Sequence, residues 1–138
     1  MIQIYSNGIT VLSGTAIPLE NIALKKGCSV TNSGTRTLLF NKAGTYKIDV
    51  TASANSVTAT TGEITIQLAK NGVLQPGALS EETVASTTAI HALAFSALVV
   101  VPEDNSCKCC KSPTIVTINN EGVDAIFSNI NVVVTKIC

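Results

Sequence analysis

The residue types in this 138-residue sequence best suited to chemistry are five cysteines, one histidine and a few paired carboxylates. Cys107, Cys109 and Cys110 crowd together between Pro102 and Pro113, beside Lys108 and Lys111. Three thiolates could hold a soft metal, but a tetrahedral zinc site usually draws on two separated Cys-x-x-Cys pairs, and no second pair occurs. Only a site shared between subunits, recruiting Cys28 or Cys138, would complete it. Neighbouring lysines favour the thiolate, so oxidative cross-linking is the first chemistry expected of this loop, with Cys138 the natural partner. An odd set of cysteines cannot pair completely within one chain, so at least one thiol stays free or links two molecules. Disulfides, free thiols and metal binding all stay open for Cys28, Cys107, Cys109, Cys110 and Cys138.

His91 is flanked by Ala89, Ile90, Ala92 and Leu93, which buries a would-be general base in an apolar strand. A structural role, or a polar contact between subunits meeting at an axis, suits it better than catalysis. No serine occupies a Gly-x-Ser-x-Gly elbow, and no phosphate or dinucleotide fingerprint occurs. Glu81-Glu82, Glu103-Asp104, Glu121 and Asp124 lack the spacing of a calcium loop or a glycosidase pair and read as solvated turns. No catalytic, metal or cofactor-binding residue is therefore assigned.

The elements that position these residues are strands. Gly, Thr, Ser and Asn punctuate short β-type stretches throughout, and no window sustains a helical apolar stripe. After the turn Asn41-Lys42-Ala43-Gly44, apolar Tyr46, Ile48, Val50, Ala52 and Ala54 alternate with Thr45, Lys47, Asp49, Thr51 and Ser53, so one face is core and the other wet. Ile64, Ile66 and Leu68 alternate with polar residues up to Asn71-Gly72, a tight hairpin signal. Val73 and Leu74 begin the return leg, and Pro76-Gly77 reads as the next turn. Shorter candidates are Ile2 to Tyr5, Ile9 to Leu12, Cys28 to Thr31 and Arg36 to Phe40. Thr114 to Asn119 follows downstream.

Two long strands break the alternation. In Ala89 to Val101, Ile90, Ala92, Ala94, Leu98 and Val100 form one apolar parity and Leu93, Phe95, Ala97, Val99 and Val101 the other. In Ala125 to Ile137, Ile130, Val132 and Val134 oppose Phe127, Val133 and Ile137. Such strands fill the core with one face and pack the other on a second subunit or on a covering loop. The subunit reading is preferred, with His91, Leu93, Phe95, Val99, Phe127 and Val133 as the expected interface.

Eight to ten strands with crossing connections, and no Trp, favour a double-sheet jelly-roll sandwich over an immunoglobulin-like one. The chain, with 46% hydrophobic and 13% charged residues and a mean hydropathy of +0.39, should expose more apolar surface than one core hides, so self-association is expected. Nine Lys+Arg balance nine Asp+Glu and aromatics reach only 4%, which argues against nucleic acid as a partner. No secretory signal is visible, and the longest apolar run is too short to cross a bilayer, so a chain made in the cytosol without membrane insertion is expected.

The run Phe40-Asn-Lys-Ala-Gly-Thr-Tyr46-Lys-Ile-Asp-Val50, the hairpin from Ile64 to Gly77, residues 117 to 129 and the closing Val132-Val-Val-Thr-Lys-Ile137 resemble the C1q/TNF-like jelly rolls of bacteria and phages. That family includes phage structural and decoration proteins and the C-terminal domain of collagen-like exosporium glycoproteins. The resemblance covers residues 36 to 138 and implies one all-β, antiparallel jelly-roll domain over the whole chain, with residues 1 to 35 supplying N-terminal strands and loops. It implies a homotrimer with its C-terminal strands near the three-fold axis. No Gly-X-Y stalk precedes the domain, which favours a decoration or fibre-head protein on a phage virion over a spore filament. A viral capsid or other particle surface is the expected partner. A disulfide-linked spore-surface or appendage subunit and a module binding host-surface glycan are the alternatives.

Overall fold

A computed structural model of the chain describes residues 1–102 and 114–138. Over these residues it is built from strands and loops: β1 (Ile2–Ser6), β2 (Ile9–Val11), β3 (Thr15–Ala16), β4 (Asn21–Lys25), β5 (Val30–Ser33), β6 (Thr37–Phe40), β7 (Gly44–Ser56), β8 (Glu63–Lys70), β9 (Val73–Thr83), β10 (His91–Val101), β11 (Thr114–Asn120) and β12 (Ala125–Lys136). Two antiparallel sheets of six strands face each other. Sheet A has the order β10-β7-β12-β1-β4 with β2 beside β12, and sheet B the order β5-β6-β11-β8-β9 with β3 beside β11. The chain crosses between the sheets repeatedly, which makes the sandwich a jelly roll.

The period-two pattern of the sequence builds the core directly. Tyr46, Ile48, Val50, Ala52 and Ala54 point inward from β7 and meet Ile64, Ile66 and Leu68 of β8 and Val116 and Ile118 of β11 in one apolar cluster. Each fully buried side chain of this size contributes roughly 1.5–3 kcal/mol relative to exposure. Tyr46 packs edge-on against Phe40, with ring centroids 4.7 Å apart, and its hydroxyl donates to the Lys42 carbonyl at 2.7 Å. The phenol is thus buried without an orphaned hydroxyl. Asn71 and Gly72, at φ 52° and 81°, turn β8 into β9 as the Asn-Gly pair predicts.

Three local expectations change. Pro76-Gly77 does not turn the chain but lies inside β9, which runs on to Thr83. β9 is an edge strand paired only with β8, and the ladder shifts register between Gln67 and Ala69, so the proline costs no central hydrogen bond. β4 is a further strand with all five residues exposed, held by β1 alone, which is why no apolar alternation marks it. In β12 the register shifts between Phe127 and Asn129, with Ser128 as the extra residue, so that Phe127 and Ile130 both face the core despite opposite parity.

β7 spans the full height of the sandwich, and its termini define two ends. At the Gly44 end, Gly44 pairs with Val101, Phe40 with Thr114 and Lys70 with Val73, while Ile2 and its partner Lys25 lie level with Ile48. At the Ser56 end lie the β5–β6 turn, Glu63, Thr83, His91 and Ala125. Gly44 has φ +147°, and a Cβ there would meet the Cys138 carbonyl at 2.5 Å, so the close approach of the C-terminal residues to β7 requires glycine.

Candidate interaction surface

The outward face of sheet A is a surface that several strands position together. From β7 it receives Thr45, Lys47, Asp49, Thr51 and Ser53, the partners of the alternating core residues. Register then lays β10 and β12 on either side: Leu98, Lys47 and Thr135 form one row, Ser96, Asp49, Val133 and Gln3 the next, and Ala94, Thr51, Asn131 and Tyr5 the third. Small and uncharged side chains dominate. Lys47 and Asp49 form an exposed ion pair at 3.8 Å, the only ion pair among the described residues, and Ser96 Oγ donates to Asp49. Gln3 Nε2 donates to Asn131 Oδ1 at 3.1 Å. A face with paired polar groups and few free charges can be desolvated at low cost, as an interface requires.

Beside this face, the free edges of the two sheets, β9 and β10, approach each other. Lys70 Nζ donates to the Val100 carbonyl at 2.7 Å and the Ala94 amide donates to Ser80 Oγ at 3.2 Å, so side chains rather than a ladder close the seam. A groove of about 510 Å³ opens there, lined by Leu68, Pro76, Ala78, Leu98 and Val100 among others. Leu98 is 64% exposed, Val100 57% and Val73 64%, with Leu74 and Leu79 also exposed along β9. Soluble proteins usually protect such an edge with charge or cover it.

Of the six residues expected at a subunit interface, Val133 lies on this outward face. Leu93, Val99 and Phe127 are buried in the core of the single chain, and Phe95 and His91 share their inward parity and are half-buried. The parity of β10 is therefore the reverse of the one expected. Register decides it: Leu93 lies opposite Ala52, Phe95 opposite Val50 and Val99 opposite Tyr46, all inward residues of β7. The apolar residues that do face out, Leu98 and Val100, are visible in the sequence as an apolar parity but carry no mark of side.

The candidate chemical groups stay apart. His91 Nε2 and Ser56 Oγ are both sealed from solvent at the Ser56 end, and neither has a hydrogen-bond partner among the described residues, so they form no dyad. Glu81 and Glu63 lie close enough on sheet B for their carboxyls to share a hydrogen bond; that bond, then mutual repulsion, then slight burial push Glu81 above the usual carboxylate range. No group of three or more potential metal ligands occurs among the described residues. Cys28 and Cys138 are exposed and free. Both sit at the Gly44 end: the Cys28 carbonyl accepts from Asn41 Nδ2, and Cys138 adjoins Gly44. Cys107, Cys109 and Cys110 lie outside the described residues. No helix among the described residues is long and apolar enough to cross a membrane.

No family model and no curated protein matches the chain. Solved structures do. Eiger TNF from S. frugiperda aligns with a TM-score of 0.66 at 13% identity, over 99% of this chain and 92% of its own. Murine APRIL at pH 5.0 aligns at 0.60 and 12% identity, over 99% and 98%. The PRD1 vertex protein P5 aligns at 0.57 and 15% identity, over 99% and 96%. Such identities speak to fold alone, and the fold is that of the TNF-like jelly rolls, shared by cytokines and by a phage vertex protein.

Proposed function

We propose that the chain is a non-enzymatic structural protein, a homotrimeric jelly roll that decorates the surface or tips a fibre of a virion or comparable particle. The observation that carries this reading is the apolar β9–β10 edge beside the charge-poor outward face of sheet A. Two different surfaces that fit each other make a heterologous contact, which closes into a ring when the rotation permits. In the trimer, the edge of each copy covers the sheet A face of the next, hiding Leu98 and Val100. The apolar area removed from water stabilises the assembly by roughly 25 cal/mol per Å². The likeness to the PRD1 vertex protein supports a place on a virion. An isolated His91 and an unbridged Ser56 support a role without catalysis.

The test is the solution mass of the wild type and of Leu98→Asp/Val100→Asp, measured by light scattering in reductant. The wild type is expected as a trimer, and the variant as a folded monomer of 14.3 kDa, since both side chains are exposed in the single chain. A monomeric wild type, or a variant that remains trimeric, overturns the assignment of this edge.

A further inference from the structure

β4 closes the edge of sheet A opposite β10, and among the described residues it pairs with β1 alone. Glu20 to Cys28 are all exposed, Ile22 at 46% and Leu24 at 38%. Apolar side chains on an unpaired edge are usually covered or guarded by charge. Here the charges stand at the flanks: Glu20 precedes the strand, Lys25 ends it and Lys26 follows, with apolar Ile22-Ala23-Leu24 between. An acid before the apolar run and bases after it make the strand complementary to an inverted copy of itself.

The backbone has groups to offer. The Lys26 amide donates to the Met1 carbonyl at 2.8 Å and the Met1 amino group to the Lys26 carbonyl at 2.9 Å, so the adjacent Lys25 turns its amide and carbonyl away from β1. The register against β1 shifts between Gln3 and Ile4 and leaves Ala23 as the extra residue. Lys25 and Ile22, opposite the core residues Ile2 and Ile4, therefore share one face, and Leu24 and Asn21, opposite Gln3 and Tyr5, share the other. Glu20, next before Asn21, falls by alternation on the face of Ile22. An inverted copy keeps these faces when Glu20 stands opposite its Lys25 and Asn21 opposite its Leu24, with Ile22 and Ala23 of the two copies meeting in the middle. The contact then carries a Glu–Lys pair at either end.

We infer that β4 pairs antiparallel with β4 of a second copy, joining two sheets A edge to edge. The self-complementary charge of residues 20–25 argues for this occupant. Pairing in the same sense sets Glu20 against Glu20 and lysine against lysine, and a foreign apolar strand leaves the lysines unmatched. The lysines that guard the edge against other strands thus select a copy of the chain itself. The contact is isologous and stops at two strands, and it uses the edge opposite β10, so it goes beyond the trimer and does not depend on it. Strands this short bury well under the roughly 1,200 Å² of a stable interface, so the contact forms where copies are crowded and leaves the mass of the dilute protein to the β9–β10 edge.

The experiment is sedimentation equilibrium in reductant and low salt as the protein is concentrated from about 10 μM to about 1 mM, a range that spans contacts of micromolar to millimolar strength. Glu20→Lys and Lys25→Glu each set like charges across the contact, and Glu20→Lys/Lys25→Glu restores the match with the signs exchanged. Both positions are exposed, and circular dichroism verifies folding. The dilute mass reads the closed assembly, and its rise with concentration reads pairing through β4. The masses of the wild type and of the double variant are expected to rise at least about 1.5-fold, as half-complete pairing requires, and each single variant to stay at its dilute mass. A wild-type mass indifferent to concentration, a single variant that pairs like the wild type, or a folded double variant that does not pair overturns the inference. The Lys25 amide is expected to exchange its hydrogen freely in the dilute wild type and more slowly as pairing sets in. Protection already present in the dilute protein also overturns it, since the edge would then be covered by another segment of the chain or by the closed assembly.

Discussion

Strands β7 and β10 lie side by side over eleven paired positions and share both faces of sheet A, yet they treat water oppositely. β7, with partners on both sides, turns Lys47, Asp49, Thr51 and Ser53 outward. β10, with a ladder on one side only, turns Ala92, Ala94, Leu98 and Val100 outward around a single serine. An edge strand that must stay in water is usually blunted with charge or proline. β10 carries neither between His91 and Val101, and what protection the seam has comes from Lys70 and Ser80 reaching across from β8 and β9. The difference teaches that polarity here follows what covers a residue rather than its distance from the core. The interior strand is finished within one chain, whereas the edge strand is unfinished.

The sharpest way to break this comparison uses one residue type on one strand. Leu93→Ala, at a core position, is expected to cost about 2–5 kcal/mol in urea unfolding. Leu98→Ala, five residues along and exposed, is expected to change the stability of the unassembled chain by less than about 0.5 kcal/mol. Similar losses at both positions would show that β10 does not present the two faces described. The contrast extends to polar groups. Asn120 is fully buried, donates from Nδ2 to the Val11 and Val123 carbonyls at 3.0 Å and accepts the Gly122 amide. Asn120→Ala orphans those groups and is expected to cost about 1–3 kcal/mol. Asn131→Ala, on the outward face, should be milder, and equal penalties would weaken the distinction between the faces.

The smallest effect concerns the Glu81–Glu63 pair on sheet B. Glu81 titrates above its unfolded value because of its hydrogen bond to Glu63 and their repulsion, so the fold favours the protonated form. Stability from this pair is present at acidic pH and is lost as pH rises through the folded value. The melting temperature of Glu81→Gln is therefore expected to respond less to pH across the carboxylate range than that of the wild type. Identical pH profiles would show that the two carboxyls do not interact.

Much of the fold was legible because alternation survives wherever one face is core and the other wet. β7 and β8 announced themselves, and the Asn71-Gly72 turn follows from the positive φ angles that this dipeptide tolerates. β4 was not legible, because all of its residues are exposed and nothing in the pattern opposes core to solvent. The extension of β9 through Pro76-Gly77 was hidden by the turn signal of that pair, which only an edge position beside a register shift overrides. The candidate surface was half legible. Two apolar parities on β10 announced a second covered face, but not which face was which.

The sequence by itself determined an all-β sandwich, its main strands and the excess of apolar surface over one core, because these depend on composition and on periods within single strands. Only the tertiary structure decided the sides. The register of β10 against β7 sent Leu93 and Val99 inward and Leu98 and Val100 outward, and one extra residue at Ser128 turned Phe127 into the core. Pairing is a relation between distant segments, and a one-residue change in it exchanges the faces of a strand.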